Sequence, residues 1–185
     1  MSKITFGEVR FSYMRVFEPA PENSMDAGKY SVSILIDKQD KKSLDCIQKA
    51  IGECLKEHVN VLGTKGAWRS PLRDGDKERD DENYRGHYFI TARSQREPGI
   101  VDRNRQPILN KSEFKSGDYG YVNVSFFAYN NAGNKGIGCS LNHIMKSRDG
   151  EALDGSISAE KAFEDVVFED EYSNIPDPFA NDDIL

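Results

Sequence analysis

Apolar and polar residues alternate along several stretches of the chain with the two-residue period of a β-strand. In one of them, Tyr30, Val32, Ile34 and Ile36 fall on a single face. This pattern predicts strands at residues 3–11, 29–37, 87–93, 99–102, 118–130 and 136–145. The last two are joined by Asn-Asn-Ala-Gly-Asn (residues 130–134), which is typical of a tight hairpin turn.

The period changes between residues 40 and 59, where Leu44, Ile47, Ile51 and Leu55 are spaced by three or four positions. This spacing predicts one amphipathic helix, with Asp37 or Asp40 as its N-cap. Residues 63–86 follow, rich in Gly, Pro and charged side chains. We expect a long loop there.

These elements predict a mainly β fold, a five- to six-stranded OB-like β-barrel with one amphipathic helix. A plain β-sandwich is the alternative. We expect residues 1–150 to form this domain and residues 151–185 to form an acidic, largely disordered tail.

The composition is that of a soluble protein, with 37% hydrophobic and 30% charged residues and no apolar run long enough to cross a membrane. The N-terminus shows no secretory signal, so we expect a cytoplasmic protein, in the host cytoplasm if it is phage-encoded. Cys46, Cys54 and Cys139 lack metal-ligand spacing and are expected to be small buried side chains. We expect no metal and no cofactor.

The net charge of −6 conceals an uneven distribution. Residues 1–148 carry 24 Lys and Arg against 19 Asp and Glu, whereas residues 149–185 carry 1 against 12. A segment of such composition cannot bury enough apolar surface to fold alone. The body is therefore basic and the tail acidic.

The strand predicted at residues 118–130 directs an unusual set of side chains away from its apolar face. Val122, Val124, Phe126 and Ala128 form the apolar face, and the opposite face carries Tyr119, Tyr121, Asn123, Ser125, Phe127 and Tyr129. Exposed aromatic rings on a sheet can stack on the bases of a single nucleic-acid strand. We therefore propose Tyr121, Phe127 and Tyr129 as stacking residues, with a second hydrophobic core as the alternative.

Basic residues are frequent in the surrounding sequence, as expected for a channel that follows a phosphate backbone. The candidates for DNA contact are Arg69, Arg73, Arg85, Arg93, Arg96, Arg103, Arg105 and Lys111. A solvated surface of mixed charge is the alternative. Trp68, the single tryptophan, is expected either to stack on a base or to anchor the long loop to the core.

Two further segments carry candidate functions. Asp74, Asp76, Asp80, Asp81 and Glu82 are carboxylates of the type that bind Mg²⁺ in nucleases, although a solvated loop explains them better. Near the C-terminus, apolar residues are embedded among acidic ones, a pattern that fits a partner's pocket with a basic rim. The candidates for partner binding are Phe179, Asp182, Asp183, Ile184 and Leu185.

Several short motifs, taken in order, resemble the phage and prophage single-stranded DNA-binding family first described as a domain of unknown function. They are Pro-Leu-Arg-Asp-Gly-Asp-Lys-Glu-Arg (71–79), Tyr-Phe-Ile (88–90), Pro-Gly-Ile-Val-Asp-Arg (98–103), Phe-Ala-Tyr-Asn (127–130), Gly-Asn-Lys-Gly-Ile-Gly (133–138) and Arg-Asp-Gly-Glu-Ala-Leu (148–153). The resemblance implies an OB-fold that binds single strands without sequence preference during phage replication or recombination. Similar phage proteins end in an acidic tail with an aromatic tip, whereas this chain ends in Ile184-Leu185.

The sequence thus favours a binding module without catalysis, with single-stranded DNA as its ligand and replication or recombination proteins as partners of the tail. A Mg²⁺-dependent nuclease that uses residues 74–82 is the alternative function. A strand-annealing protein is a third hypothesis.

Overall fold

The computed structural model describes residues 2–64, 66–157 and 159–168. Their contacts divide them into two units, which separate between Asp154 and Gly155. The predicted partner-binding residues Phe179, Asp182, Asp183, Ile184 and Leu185 lie outside the described residues.

The first unit is built on seven strands, which are β1 (Ser2–Arg15), β2 (Tyr30–Asp37), β3 (Arg73–Asp74), β4 (His87–Ser94), β5 (Gly99–Val101), β6 (Tyr119–Asn131) and β7 (Asn134–Arg148). Their order in the sheet is β3-β4-β2-β1-β6-β7-β5, and an additional parallel pairing joins β4 to β7 at Arg93 and Ser140. This pairing closes β4, β2, β1, β6 and β7 into a five-stranded barrel. The predicted OB-like fold class is confirmed.

Strand β1 is shared between two neighbours, which allows the sheet to curve into a barrel. Its first half pairs with β6 and its second half with β2, with register shifts between Phe6 and Val9 and between Ser12 and Arg15. Such irregularities bend a strand and increase its twist. The interior is filled by apolar side chains of alternate positions, including Phe11, Ile34, Ile90, Val124, Phe126 and Leu141.

Helix α1 (Lys41–Glu57) occupies the predicted position and packs against β1 and β6. Asp40 is its N-cap and accepts a hydrogen bond from the backbone N–H of Ser43 at 3.1 Å. Leu44, Ile47 and Ile51 are buried, as their spacing predicts. A short helix α2 (Val59–Leu62) follows, and Gly63 ends it with a positive φ.

The prediction of a long loop at residues 63–86 is wrong in part. The segment contains β3, a helix α3 (Gly75–Glu78) and a 3₁₀ turn (Glu82–Tyr84). Tyr84 is fully buried with Leu35 and Phe89, and its hydroxyl donates a hydrogen bond to Ser33 Oγ at 2.9 Å. This second, small core packs residues 82–84 against the outer face of β2 and β4.

The hairpin between β6 and β7 has the predicted turn. Ala132 and Gly133 both have positive φ, 51° and 89°, and link the paired residues Asn131 and Asn134. Two consecutive positive φ angles are typical of a type I′ turn, whose twist matches that of the strands.

The second unit, as far as it is described, is mostly exposed and contains a short helix α4 (Ala159–Ala162). No helix in the described parts of the chain combines the length and apolar character needed to cross a membrane. Of the three cysteines, Cys54 and Cys139 are buried and Cys46 is half-buried, and none forms a disulfide.

Candidate nucleic-acid interface

A long open groove crosses the outer face of the barrel, with a volume of about 1600 Å³. Its floor is formed by the outward side chains of β6 and β7. The groove is also lined by residues of β4 and of the segment that follows it, by residues 69–73, and by Glu78 and Arg79. The groove is thus built from segments that lie far apart in the sequence.

The floor carries two of the aromatic residues that sequence analysis singled out. Phe127 is 36% exposed, Tyr129 is half-buried, and their ring centroids lie 6.5 Å apart. Neither ring is covered by a second hydrophobic layer, so the alternative of a second core does not hold for them. Two neighbouring rings in an open groove can each accept a base.

Seven cationic side chains line the groove against three carboxylates, Asp26, Glu78 and Glu97. The cations are Lys3, Lys29, Arg69, Arg73, Arg79, Arg93 and Arg96. Asp26 lies 3.4 Å from Arg93 and 3.8 Å from Lys29, and Glu78 lies 3.0 Å from Arg73. Within the described part of the chain, no carboxylate lies within 4 Å of the charged groups of Lys3, Arg69, Arg79 or Arg96.

Two arginines of the groove are positioned by local contacts, Arg79 through its side chain and Arg69 through its backbone. The guanidinium of Arg79 lies 5.3 Å and 5.1 Å from the ring centroids of Tyr84 and Phe89, a favourable cation–π geometry. The backbone of Arg69 pairs with the start of β7, donating to Lys135 O and accepting from the N–H of Ile137. Because the rings of Tyr84 and Phe89 already order the Arg79 side chain, it loses less entropy when it binds a phosphate.

A cluster of polar side chains continues the floor beyond the aromatic rings. The amide nitrogen of Asn142 donates to Asn123 Oδ1 and Ser125 Oγ, both at 2.9 Å, and Asn123 donates to Thr5 Oγ1 at 2.8 Å. His143 Nδ1 accepts from the backbone N–H of Gly99 at 3.2 Å, so Nε2 carries the proton of the neutral ring. These groups offer hydrogen bonds next to the stacking surface.

Six of the twelve residues predicted for DNA binding line this groove, namely Arg69, Arg73, Arg93, Arg96, Phe127 and Tyr129. The groove also contains Lys3, Lys29, Arg79, Asn123, Asn142 and His143, which sequence analysis did not select as contacts. The alternation of β1 and β6 places Lys3 and Asn123 on the outer face, but it does not indicate which part of that face is a groove.

The other six predicted residues lie outside the lining of the groove. Trp68 is half-buried and packs against the core, which supports its reading as the anchor of its segment. Tyr121 lies on β6 beside Gly7 of β1, beyond the end of the groove. Lys111 pairs with Glu18 at 3.6 Å beside a separate, smaller cleft. Arg85, Arg103 and Arg105 are exposed in turns.

The family model of the single-stranded-DNA-binding protein of Enterobacter phage Enc34 matches residues 2–173 of this chain. The chain belongs to this family. A curated relative, protein p50 of Acyrthosiphon pisum secondary endosymbiont phage 1, is 28% identical over 179 residues, which cover 91% of this chain and 96% of the relative.

Solved structures of other phage proteins share the fold. The single-stranded DNA-binding protein of bacteriophage Enc34, in complex with ssDNA, superposes with a TM-score of 0.71 at 22% identity, covering 82% of this chain and 89% of that protein. The single-stranded DNA-binding protein gp2.5 of bacteriophage T7 superposes with a TM-score of 0.57 at 16% identity, covering 92% and 97%. The predicted membership of a phage single-stranded DNA-binding family is thereby confirmed.

The acidic segment considered as a nuclease site has a structural use in this fold. Lys38 Nζ lies 2.7 Å from Asp74 Oδ1 and 2.6 Å from Asp76 Oδ2, and these hydrogen bonds lower the pKa of both carboxyls. Asp81 accepts a hydrogen bond from the backbone N–H of Asn83, which caps the 3₁₀ turn. Across residues 2–64, 66–157 and 159–168, no three His, Cys, Asp or Glu side chains are grouped so as to hold a metal ion.

Proposed function

We propose that this protein binds single-stranded DNA in the groove without sequence preference. The phosphates contact Lys3, Arg69, Arg79, Arg93 and Arg96, and bases stack on Phe127 and Tyr129. The observation that carries the proposal is the presence of accessible cations and partly exposed rings in one open groove, on the barrel of a chain from this family.

The same geometry favours a single strand over a duplex. Stacking on Phe127 or Tyr129 requires the flat face of a base, and a duplex buries these faces between neighbouring base pairs. The cations come from several strands and loops around the groove, as a flexible backbone requires, and belong to no single helix that could enter a major groove. Every base has a flat face, so binding of this kind tolerates any sequence.

In the cell, the protein would serve phage DNA replication or recombination in the host cytoplasm. Membership of a phage family supports this role, as does the relative from phage Enc34 whose structure contains ssDNA.

We propose that the chain is a binding protein and not an enzyme. In support, Asp74 and Asp76 share an ion pair with Lys38, and Asp81 caps a turn, so these three carboxylates already have partners within the protein.

The acidic C-terminal region is proposed to have two roles, which rest on its sequence. Eight acidic residues and no basic residue follow residue 163, whereas residues 1–148 carry a net charge of +5. A tethered segment of this charge competes with DNA for the cations of the groove, at an effective concentration that reaches about the millimolar range for short linkers. Once DNA displaces it, the apolar residues Phe179, Ile184 and Leu185, with Asp182 and Asp183, recruit replication or recombination proteins.

The central test is a binding titration over a range of salt concentrations, with single-stranded and duplex DNA of equal length. We expect the single strand to bind more tightly, with an affinity that falls steeply with salt, because binding releases condensed counterions. Equal affinity for both forms, or an affinity independent of salt, would contradict the proposal. A parallel incubation with Mg²⁺ should leave the labelled strand at full length.

The role of the tail is tested by replacing its eight acidic residues after position 163 with Asn and Gln in the full-length chain. Binding to single strands should become tighter, most clearly at low salt, where the competition is least screened. Unchanged affinity at low salt would show that the tail does not compete, and would leave partner recruitment as its role.

A further inference from the structure

The two stacking rings share an unusual neighbour on the adjacent strand. Phe127 on β6 pairs with Gly138 on β7, and Tyr129 pairs with Gly136. Directly opposed residues in an antiparallel pair have Cβ atoms about 4.5–5.5 Å apart, so their side chains normally share the space above the sheet. At these two positions one member of each pair has no side chain.

The rings fill the space that the missing side chains leave. A methyl group placed on Gly138 in ideal geometry would lie 2.4 Å from Cζ of Phe127 and 2.8 Å from Cε2. A methyl group on Gly136 would lie 2.6 Å from the hydroxyl oxygen of Tyr129. Strand side chains usually stand roughly perpendicular to the sheet. Here the outer end of each ring lies over the neighbouring strand.

Backbone conformation does not account for these glycines. Seven glycines of the described residues have positive φ, and Gly136 and Gly138 are not among them. Glycine in the interior of a strand weakens the strand, and it often marks a place where another group approaches the backbone closely. An aromatic ring approaches at both positions, and at Gly136 the carbonyl oxygen of Arg69 is about as close.

We infer that Gly136 and Gly138 are positioning residues for DNA binding, because they hold the rings of Tyr129 and Phe127 flat across β7 with one face toward the groove. The inference rests on the proposed function. A side chain at either position would push the ring away from β7. The edge of the ring, and no longer its face, would then point into the groove. A base could then no longer stack on it, although the phosphate contacts would remain.

Gly138 provides the sharper test, since the atoms nearest to its added methyl group all belong to Phe127, whereas Gly136 also lies close to the carbonyl oxygen of Arg69. We expect Gly138→Ala to weaken binding of a single strand by about 5- to 150-fold, the range that corresponds to the loss of one stacked base. The affinity for an abasic strand of equal length, measured at low salt, should stay unchanged. Gly52→Ala is the matched control, because an added methyl group in α1 meets no atom within 4 Å.

A double variant separates positioning from general damage. If Gly138 acts through Phe127, the variant with both Phe127→Ala and Gly138→Ala should bind as Phe127→Ala does alone, because no ring remains to be displaced. If Gly138→Ala does not fold, Gly136→Ala and Tyr129→Ala replace the pair, and thermal unfolding verifies each variant.

Three results would overturn the inference: wild-type affinity of Gly138→Ala, an equal loss for the abasic strand, or additive losses in the double variant. If Phe127→Ala weakens binding and Gly138→Ala does not, only the inference fails. If Phe127→Ala itself has no effect, the stacking part of the proposed function fails with it.

Discussion

The two ends of β6 carry similar outward side chains in different surroundings. Phe127 and Tyr129 at one end lie on the floor of a groove with four cations that no described carboxylate pairs. At the other end, Tyr119 lies beside Arg10 and Arg148, whose guanidinium groups are already bound to carbonyl oxygens and to Glu8. We therefore expect that the pairing of the charges, and not their number, distinguishes the proposed binding surface from a structural one.

The contacts at the second end are short and specific. Arg148 lies 2.6 Å from Glu8 and 3.7 Å from the ring centroid of Tyr119. Asp118, fully buried at the start of β6, accepts hydrogen bonds from Lys115 and from the N–H of Gly150, and Lys146 lies 3.3 Å away. Burial alone would raise the pKa of Asp118, but these hydrogen bonds and charges hold it below its ordinary value.

The largest expected effect concerns the end of β6 near Asp118, where the charged groups stabilise the fold. Asp118→Ala should lower the free energy of unfolding by about 3 kcal/mol, because it leaves buried donors and cations without their partner. The affinity of the folded protein for single strands should not change. Asp149→Ala is the control, since Asp149 also pairs with Lys146 but is 81% exposed and should contribute less than about 1 kcal/mol. Urea unfolding measures both, and an equal loss in the two variants would contradict the assignment.

The depressed pKa of Asp118 gives this prediction a pH dependence. The folded-state pKa lies below the ordinary value of 3.8, so the stabilisation is fully present above about that pH. It is lost as the pH falls through the folded-state pKa. The difference in stability between the wild-type protein and Asp118→Ala should therefore be constant near neutral pH and shrink in strong acid.

The second effect compares the rings of the two ends. Phe127→Ala and Tyr129→Ala should each weaken single-strand binding by about 1–3 kcal/mol, because each removes a stacking surface. Tyr121→Ala, which removes a ring of similar exposure outside the groove, should leave the affinity unchanged. Fluorescence anisotropy with a labelled oligonucleotide provides the measurement. If Tyr121→Ala weakens binding as much as the others, the interface extends along the whole of β6.

The third effect compares arginines that line the groove with exposed arginines that lie outside it. Arg69→Ala and Arg96→Ala should each reduce the slope of log affinity against log salt by about 0.7, the value for one phosphate contact of a single strand. Arg103→Ala and Arg105→Ala remove the same charge outside the groove and should leave the slope unchanged. Equal changes in all four would indicate a diffuse electrostatic effect.

Periodicity predicted the parts of this molecule that depend on local sequence. Alternation in β6 assigned Val122, Val124 and Phe126 to the interior, where they are buried, and three- to four-residue spacing located α1. The turn between β6 and β7 was signalled by its Asn and Gly residues, and its two positive φ angles are at Ala132 and Gly133. Each of these signals comes from residues that are close in the chain.

The groove could not be located in the same way, because distant segments form it. Barrel closure pairs Arg93 of β4 with Ser140 of β7, and the pairing of β1 with β6 places Lys3 beside Ser125. No local pattern specifies these pairings. Residues 63–86 were predicted as a loop because they are rich in Gly, Pro and charged side chains, yet the ring of Tyr84 is fully buried and Arg73–Asp74 pairs with β4.

The smallest expected effect is a gain in affinity, and it tests pairing within the groove itself. Asp26 lies 3.4 Å from Arg93 and 3.8 Å from Lys29, so this carboxylate competes with a phosphate for both cations. Asp26→Asn should therefore tighten single-strand binding a few-fold at low salt, because an exposed ion pair contributes about 0–1 kcal/mol. The salt dependence should also become steeper, since two cations become free to replace counterions.

Glu18→Gln is the matched control for Asp26→Asn, because it removes one negative charge that pairs with Lys111 outside the groove. Both substitutions change the net charge by the same amount, so any gain from long-range attraction is common to the two. A gain confined to Asp26→Asn would show that Asp26 pairs with Arg93 and Lys29 in the free protein and thereby weakens DNA binding. Equal gains would contradict this role and assign the effect to net charge alone.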